Sequence, residues 1–120
     1  MKDNMILEEK ARLFKALSDP NRLRIIRMLQ GKKLCVCEIT AVLDLAPSTV
    51  SEHLKTLETA GFIAGEKEGK WVNYMINPRI SDPTVASLLS MLPFWLSSDK
   101  TLDIDSEKVI TVDRNKLCCG

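Results

Sequence analysis

At Gly61 the hydrophobic pattern of this 120-residue chain changes period, and that change restricts the folds open to it. Upstream, apolar residues recur three and four apart, the repeat of a helix face. Downstream, Phe62-Ile63-Ala64 and Trp71-Val72-Asn73-Tyr74-Met75-Ile76 read as strands. The upstream part is cut by breakers. A first helix carries Leu7, Ala11, Phe14 and Leu17 on one face and stops before Asp19-Pro20, because proline disfavours helical geometry in its predecessor. Asp19 as cap and Pro20 at the first helical position open a second helix, with Leu23, Ile26 and Leu29 inside and Gly31 at its end. An apolar segment over residues 34–43 follows, then a tight break at Asp44-Leu45-Ala46. Behind Pro47, Ser48 is placed to cap a longer helix with Val50, Leu54 and Leu57 inward, closed by Gly61. Two helices about a three-residue turn make a helix-turn-helix. The polar stretch 65–70 is then the tip of a β-hairpin behind it. The expected fold is mainly α with a small hairpin (α+β), a winged helix-turn-helix.

A last helix over residues 82–98 has Val85, Leu88, Leu89, Leu92 and Trp95 along one side, and Pro93 should kink it or end it early. This helix and the first carry more apolar surface than a small core needs, which points to a homodimer through the first and last helices. Residues 1–98 are expected to form the helix-turn-helix and dimerisation domain. Residues 99–120 are expected to form an acidic, mixed tail, extended over 109–112 and ending at Cys118-Cys119-Gly120.

Composition narrows the class. Hydrophobic residues at 45% and charged residues at 28% are those of a globular domain, not a disordered or fibrous chain. The 17 basic and 16 acidic residues nearly cancel, so only a local basic surface would mark a nucleic-acid partner. Residues 1–80 hold 13 basic and 10 acidic side chains against 4 and 6 in the remainder, a weak bias toward the helix-turn-helix. The longest uncharged stretch, residues 83–98, is too short for a bilayer. Asp3, Glu8 and Glu9 interrupt any signal-peptide core. The expectation is a cytoplasmic protein without membrane contact, its four cysteines free thiols, ligands or redox sensors and not a disulfide framework.

Ser48, Thr49, Ser51, Glu52 and Lys55 lie on the polar side of the second helix of the pair. Alone, such residues are usually just solvated; at the start of a recognition helix they reach base edges and phosphates in the major groove. His53 is placed either to reach phosphate or to sit half-buried, and as the lone histidine it makes a histidine-based catalytic or zinc site improbable. Lys67 and Lys70 at the hairpin tip are placed to touch backbone phosphate, though lysines are common in turns. The glycines at 65 and 69 lack the spacing and the following Ser or Thr of a phosphate loop.

Cys35-Val36-Cys37 is the sharpest chemical feature. Two helical residues two apart point about 200° from each other, so both cannot face one core, nor chelate one ion unless the first turn is irregular. That constraint suggests a switch: a thiophilic ion would draw both thiolates together and strain the helix leading into the DNA reader. A helix N-terminus and Lys32 and Lys33 should lower the thiol pKa, and thiolates select soft or borderline ions. Cys118 and Cys119 stand as further ligands, as a redox pair or as an unremarkable end. A thiol oxidoreductase is disfavoured, because the spacing is CxC and no βαβ pattern surrounds it. No catalytic residue and no organic cofactor are assigned.

Residues 19–26 (DPNRLRII), 34–39 (LCVCEI) and 51–57 (SEHLKTL), continued by Gly61-Phe62 and residues 69–74 (GKWVNY), resemble the ArsR/SmtB family of metalloregulatory repressors. The resemblance covers about residues 6–95, and the LCVCE run most resembles the arsenic-sensing branch, then the cadmium and lead sensors. It implies a homodimer that sits on double-stranded operator DNA and dissociates when an inducer binds. Cys35 and Cys37 would then be inducer ligands, and residues around 48–55 would read DNA. Arsenic sensors with this motif often carry a third cysteine where this chain has Thr40, so the third sulfur must come from Cys118 or Cys119, of the same subunit or the partner. The last helix lacks the histidines of the family's inter-subunit zinc site, and the N-terminus lacks the cysteines of the cadmium and lead branch. The expected inducer is As(III) or Sb(III). A Cd(II)/Pb(II)-responsive repressor using all four thiolates and a thiol redox-sensing repressor are the alternatives.

Overall fold

Short acidic and proline signals set most of the helix starts. The computed structural model describes residues 6–112 and contains α1 (Ile6–Ala16), α2 (Pro20–Gly31), β1 (Leu34–Cys35), α3 (Val36–Leu43), α4 (Pro47–Thr59), β2 (Ile63–Glu68), β3 (Trp71–Ile76), α5 (Pro83–Trp95) and α6 (Lys100–Thr111). Asp19 caps α2, its Oδ1 accepting from the backbone N–H of Asn21 at 2.7 Å and of Arg22 at 3.2 Å. Burial alone would raise this carboxyl, but those two N–H groups outweigh it and hold it below its ordinary pKa. Asp82 repeats the device ahead of Pro83, accepting from Thr84 N–H at 2.8 Å, and Asp99 caps α6 through Leu102 N–H at 3.0 Å. The start of α4 differs from expectation. Ala46 is the cap and Pro47 the first helical residue, so the Ser48 side chain lies inside the first turn and caps nothing. Pro47 supplies no N–H, which removes one of the donors a cap would have served.

The sheet has three antiparallel strands in the order β1-β3-β2. β1 has no counterpart among the strands expected from the sequence. It is two residues long and exists as an edge on β3, with Leu34 opposite Tyr74 and Cys35 opposite Asn73. The expected six-residue hairpin tip is also corrected. β2 runs on to Glu68 opposite Trp71, so the turn is only Gly69-Lys70, with Gly69 at φ 60°. Residues 65–68 are all exposed, so their polarity matches a loop although their backbone is paired.

The core joins α2, α3 and α4 to the sheet through Ile25, Ile26, Leu34, Ile39, Val42, Val50, Leu54, Leu57, Phe62 and Ile63. On α1 the buried face is Leu13 and Ala16, while Leu7 and Phe14 are 80% and 58% exposed. The stripe read from periodicity is therefore not the one that meets this protomer's core. On α5, Val85, Leu88, Leu89 and Leu92 are buried as expected, but Trp95 is exposed. Pro93 lies inside α5, two residues before its end. Its missing N–H leaves the Leu89 carbonyl without a helical donor, and Gln30 Nε2 of α2 donates to that oxygen at 2.9 Å.

The tail region departs most from expectation. Residues 109–111 are not extended but close α6, which packs on α2 and α3; only Val112, its C-cap, has an extended backbone (φ −72°, ψ 143°). Its anchor is Asp105, buried and held by Arg24 through two 2.9 Å bonds, Nε to Oδ2 and Nη2 to Oδ1. Near the start of α2, Pro20, Leu23 and Arg24 meet Leu96, Asp99 and Leu102. Further along, Arg24, Arg27 and Met28 line a small cavity with Leu102, Asp105 and Ser106, so α6 runs in the same direction as α2.

Removing one partner of a buried, bidentate pair strands the other charge. Asp105→Ala should therefore lower the urea-unfolding free energy by about 3 kcal/mol, and Arg24→Met/Asp105→Leu should recover most of it. Equal stability of Asp105→Ala and wild type would contradict this account of α6.

Candidate functional site: the exposed helix and the thiol junction

α3 ends at Asp44, which takes the left-handed conformation at φ 56° and donates its N–H to the Thr40 carbonyl at 2.9 Å. The turn through Leu45 and Ala46 leads directly into α4. Burial of Val50, Leu54 and Leu57 fixes the rotation of α4 and leaves Ser48, Thr49, Ser51, Glu52 and Lys55 exposed on the outer side. The first turn of any helix presents unpaired N–H groups and the positive end of its dipole, so this end of α4 suits an anionic partner.

His53 takes the second of its two expected placements. Its side chain is 13% exposed and turned toward α2, with Nε2 3.9 Å from Asp19 Oδ1 and Nδ1 3.2 Å from Arg22 Nη1. Because Arg22 can only donate, Nδ1 accepts and Nε2 carries the proton toward Asp19. Arg22 also donates from Nε to the Ala16 carbonyl at 2.7 Å and from Nη2 to the Lys15 carbonyl at 3.2 Å. One side chain thus ties the end of α1 to α4. The DPNR run signals a helix start, but nothing local in it announces this bracket.

In the hairpin, Lys67 is exposed in β2, and Lys70 lies in the turn with Nζ 4.8 Å from the centre of the Trp71 ring. Glu66 and Glu68 flank Lys67 and are exposed too.

The two central cysteines occupy a strand-to-helix junction. Cys35 ends β1 in an extended conformation (φ −86°, ψ 168°) and is the N-cap of α3; it is 1% exposed. Cys37 follows in the first turn, half-buried and disulfide-bonded, so among the described residues only Cys35 is a free thiol, and the expectation of a free thiol does not hold at Cys37. The 200° separation expected of two helical residues does not apply, because Cys35 stands outside the helix. Glu38, itself buried, completes a capping box: its carboxylate accepts from Cys35 N–H at 2.9 Å, and the Cys35 sulfur faces the N–H of Glu38. The expectation of a lowered thiol pKa is overturned at Cys35. Burial, then the negative charge of Glu38, raises its thiol above the ordinary value despite the nearby backbone N–H groups. Lys32 and Lys33 point to solvent and do not offset this.

One turn beyond Cys37, the Thr40 hydroxyl is buried without a hydrogen-bond partner among the described residues. Cys118 and Cys119 lie outside the described residues. Among those described, no three His, Cys, Asp or Glu side chains gather to hold a metal ion, and no helix is long and apolar enough to cross a membrane. The Cys35 sulfur and, once its disulfide is reduced, the Cys37 sulfur suit a soft or borderline ion in their chemistry. They leave the donor set short of three thiolates.

Residues 19–64 match the model for bacterial regulatory proteins of the arsR family. The arsenical resistance operon repressor of Escherichia coli K12 is 34% identical over 106 residues, covering 86% of this chain and 80% of that protein. The cadmium resistance transcriptional regulatory protein CadC of Listeria innocua is 44% identical over 64 residues, 52% of this chain and 54% of its own. A solution structure from Mycobacterium bovis superposes with a TM-score of 0.66 at 25% identity, over 81% of this chain and 86% of that one. It is described as the homodimeric winged helix-turn-helix DNA-binding domain of a possible ArsR-family transcriptional regulator. These three relatives are regulators, not enzymes.

In a variant retaining Cys35 as its only cysteine, the thiolate absorbance step should fall above the ordinary cysteine range. Glu38→Gln should move it down. A step at or below the ordinary value would contradict the role of burial at Cys35.

Proposed function

The chain belongs to the arsR family of bacterial regulatory proteins and is a DNA-binding transcriptional repressor, and from that premise we propose that its inducer is As(III) or Sb(III), held by the thiolates of Cys35, Cys37 and one of Cys118 and Cys119. The observation that carries this reading is the place of Cys35, where a strand paired to the hairpin passes into the helix leading to α4. A thiophilic ion supplies strong bonds to sulfur there. Drawing Cys35 toward Cys37 disturbs the capping box at the start of α3 and the two-residue β1 ladder together. Both elements orient α4 and the wing.

The direction of α6 supports a tail ligand from the same subunit. Asp105 sits beside Arg24, and about 9 Å of helix carries the chain from Asp105 to Thr111, roughly the rise from Arg24 to Gly31 at the end of α2. The chain therefore leaves α6 on the side of α3. Five residues lie between Val112 and Cys118, and the six Cα-to-Cα steps can span at most about 20 Å.

On this reading the protein is a cytoplasmic homodimer. α1 and α5 supply the interface, since Leu7, Phe14, Phe94 and Trp95 stand exposed on them. Ser48, Thr49, Ser51, Glu52 and Lys55 face the major groove, Lys67 and Lys70 lie near the DNA backbone, and His53 holds α4 in place from behind. Cd(II) or Pb(II) is the second reading, favoured by the likeness to CadC. Redox sensing is the third reading: the buried Cys35 is unlike an oxidant-sensing thiol, but the disulfide at Cys37 favours it, and release of DNA by oxidant without metal would distinguish it.

Operator binding is followed by fluorescence anisotropy under strict reduction, on a labelled duplex selected by the protein from a random-sequence pool. Cys35→Ser and Cys37→Ser should bind the duplex as wild type does, yet lose the ~5–150-fold release typical of such coupling when arsenite is added. Loss of DNA binding in a folded variant would sink their assignment as inducer ligands, and release by cadmium but not arsenite would favour the second reading.

Thr40 offers a sharper check. Positions 37 and 40 share a helix face. Cys118→Ser/Cys119→Ser should blunt the arsenite response, and adding Thr40→Cys to it should restore the response. An undiminished response in the tail variant would leave a two-thiolate site and remove the tail from it.

A further inference from the structure

The surface assigned to DNA carries little net charge. Lys55, Lys67 and Lys70 are balanced by Glu52, Glu66 and Glu68, three against three, all exposed. Affinity for DNA rests on neutralising phosphates, so a surface summing to zero needs cations from elsewhere.

They stand next to it. An open cleft of about 470 Å³ between α1 and α4 is lined by Arg12, Lys15, Arg22, Glu52, Lys55 and Thr56, among others. Arg12 and Lys15 are one turn apart on the same side of α1 and exposed, and neither makes an ion pair among the described residues. Lys10 of the same helix, by contrast, is paired with Asp82 at 3.3 Å. The cleft walls do not slide freely, because Arg22 joins the last carbonyls of α1 to His53 of α4. Arg12 and Lys15 are thereby held at a set distance from the helix that faces DNA. At 100° per residue, Arg12 lies about 160° and Lys15 about 100° around α1 from Phe14, so a dimer formed on the Leu7 and Phe14 stripe leaves Arg12 facing away from it and Lys15 at its edge. Lys55 belongs to both surfaces and makes them continuous.

We propose that Arg12 and Lys15 bind the phosphate backbone of operator DNA at the edge of the major groove that receives α4, making the α1–α4 cleft a second, sequence-independent contact of each protomer. This rests on the DNA-binding role above and adds to it the contact that supplies affinity. Arg12 offers a guanidinium fork to phosphate oxygens and Lys15 a point charge. Neither reads bases. Lys15 also complements the C-terminal end of the α1 dipole, so stability is a poor readout and salt dependence the right one.

The experiment measures operator affinity of the full-length dimer against salt concentration. Each lost phosphate contact lowers the log–log slope by about 0.9, so Arg12→Gln/Lys15→Gln should make it shallower by about 1.8 per protomer, or about 3.6 for a dimer on two half-sites. Discrimination between operator and scrambled duplex and the arsenite response should both persist. Lys100→Gln/Lys108→Gln on α6 serves as the equal-charge control and should leave the slope unchanged. An unchanged slope in folded Arg12→Gln/Lys15→Gln, or an equal fall in the control, would overturn the proposal. Failure of wild type to bind any duplex would overturn the DNA-binding role itself, a result distinct from either.

Discussion

Leu34 and Cys35 satisfy two geometries at once, and the orientation of α4 and of the hairpin depends on them. A two-residue strand has no stability of its own. β1 persists because Leu34 is fully buried and because its ladder closes the free edge of β3. The residue that ends the strand also begins the helix, so the sheet sets the direction in which α3 starts. A three-residue turn then passes that direction to α4. The wing and the exposed helix are thus two outputs of one junction.

Polar side chains keep the other elements from drifting about this junction. Arg22, Asp19 and His53 fasten α1 and α2 to the back of α4. Gln30 satisfies the carbonyl that Pro93 leaves open, which fixes the height of α5 against α2. Arg24 and Asp105 do the same for α6. Apolar burial brings helices together without specifying register, and it is these directional contacts that do so. Each would be costly if half made, which ties the helices to one arrangement.

How much of this is legible in the sequence follows from the range of each signal. Caps, prolines and the change of period at Gly61 act within a few residues, and α2, α4, α5 and the hairpin follow from them. β1 is hidden because its reason for existing lies about forty residues away in Tyr74 and Asn73. α6 is hidden because its inner face is carried by Asp105, which hydropathy counts as solvated. Periodicity finds the apolar stripe of α1 but cannot tell a stripe that meets the core from one that does not. The Cys-x-Cys spacing suggests two helical cysteines, whereas the structure places the first just outside the helix. That displacement turns an expected low thiol pKa into a raised one, since leaving the helix means entering the core.

The energies at this junction are of the size a ligand-controlled repressor needs. A hundredfold change in operator affinity is about 2.7 kcal/mol of coupling. A cap contributes about 1 kcal/mol, and a single net hydrogen bond about the same. The Cys35–Glu38 capping box and the two-residue ladder of β1 together therefore hold roughly the energy that must be redirected, without any need to unfold the core beneath. If the inducer binds at the sulfurs as proposed, it would have only to prefer a geometry in which those few contacts are lost. By the reciprocity of linked equilibria, DNA on the exposed face of α4 would then weaken the inducer by the same factor. On the proposed reading, placing a thiol in the cap, where little energy holds a large lever, would make that exchange possible.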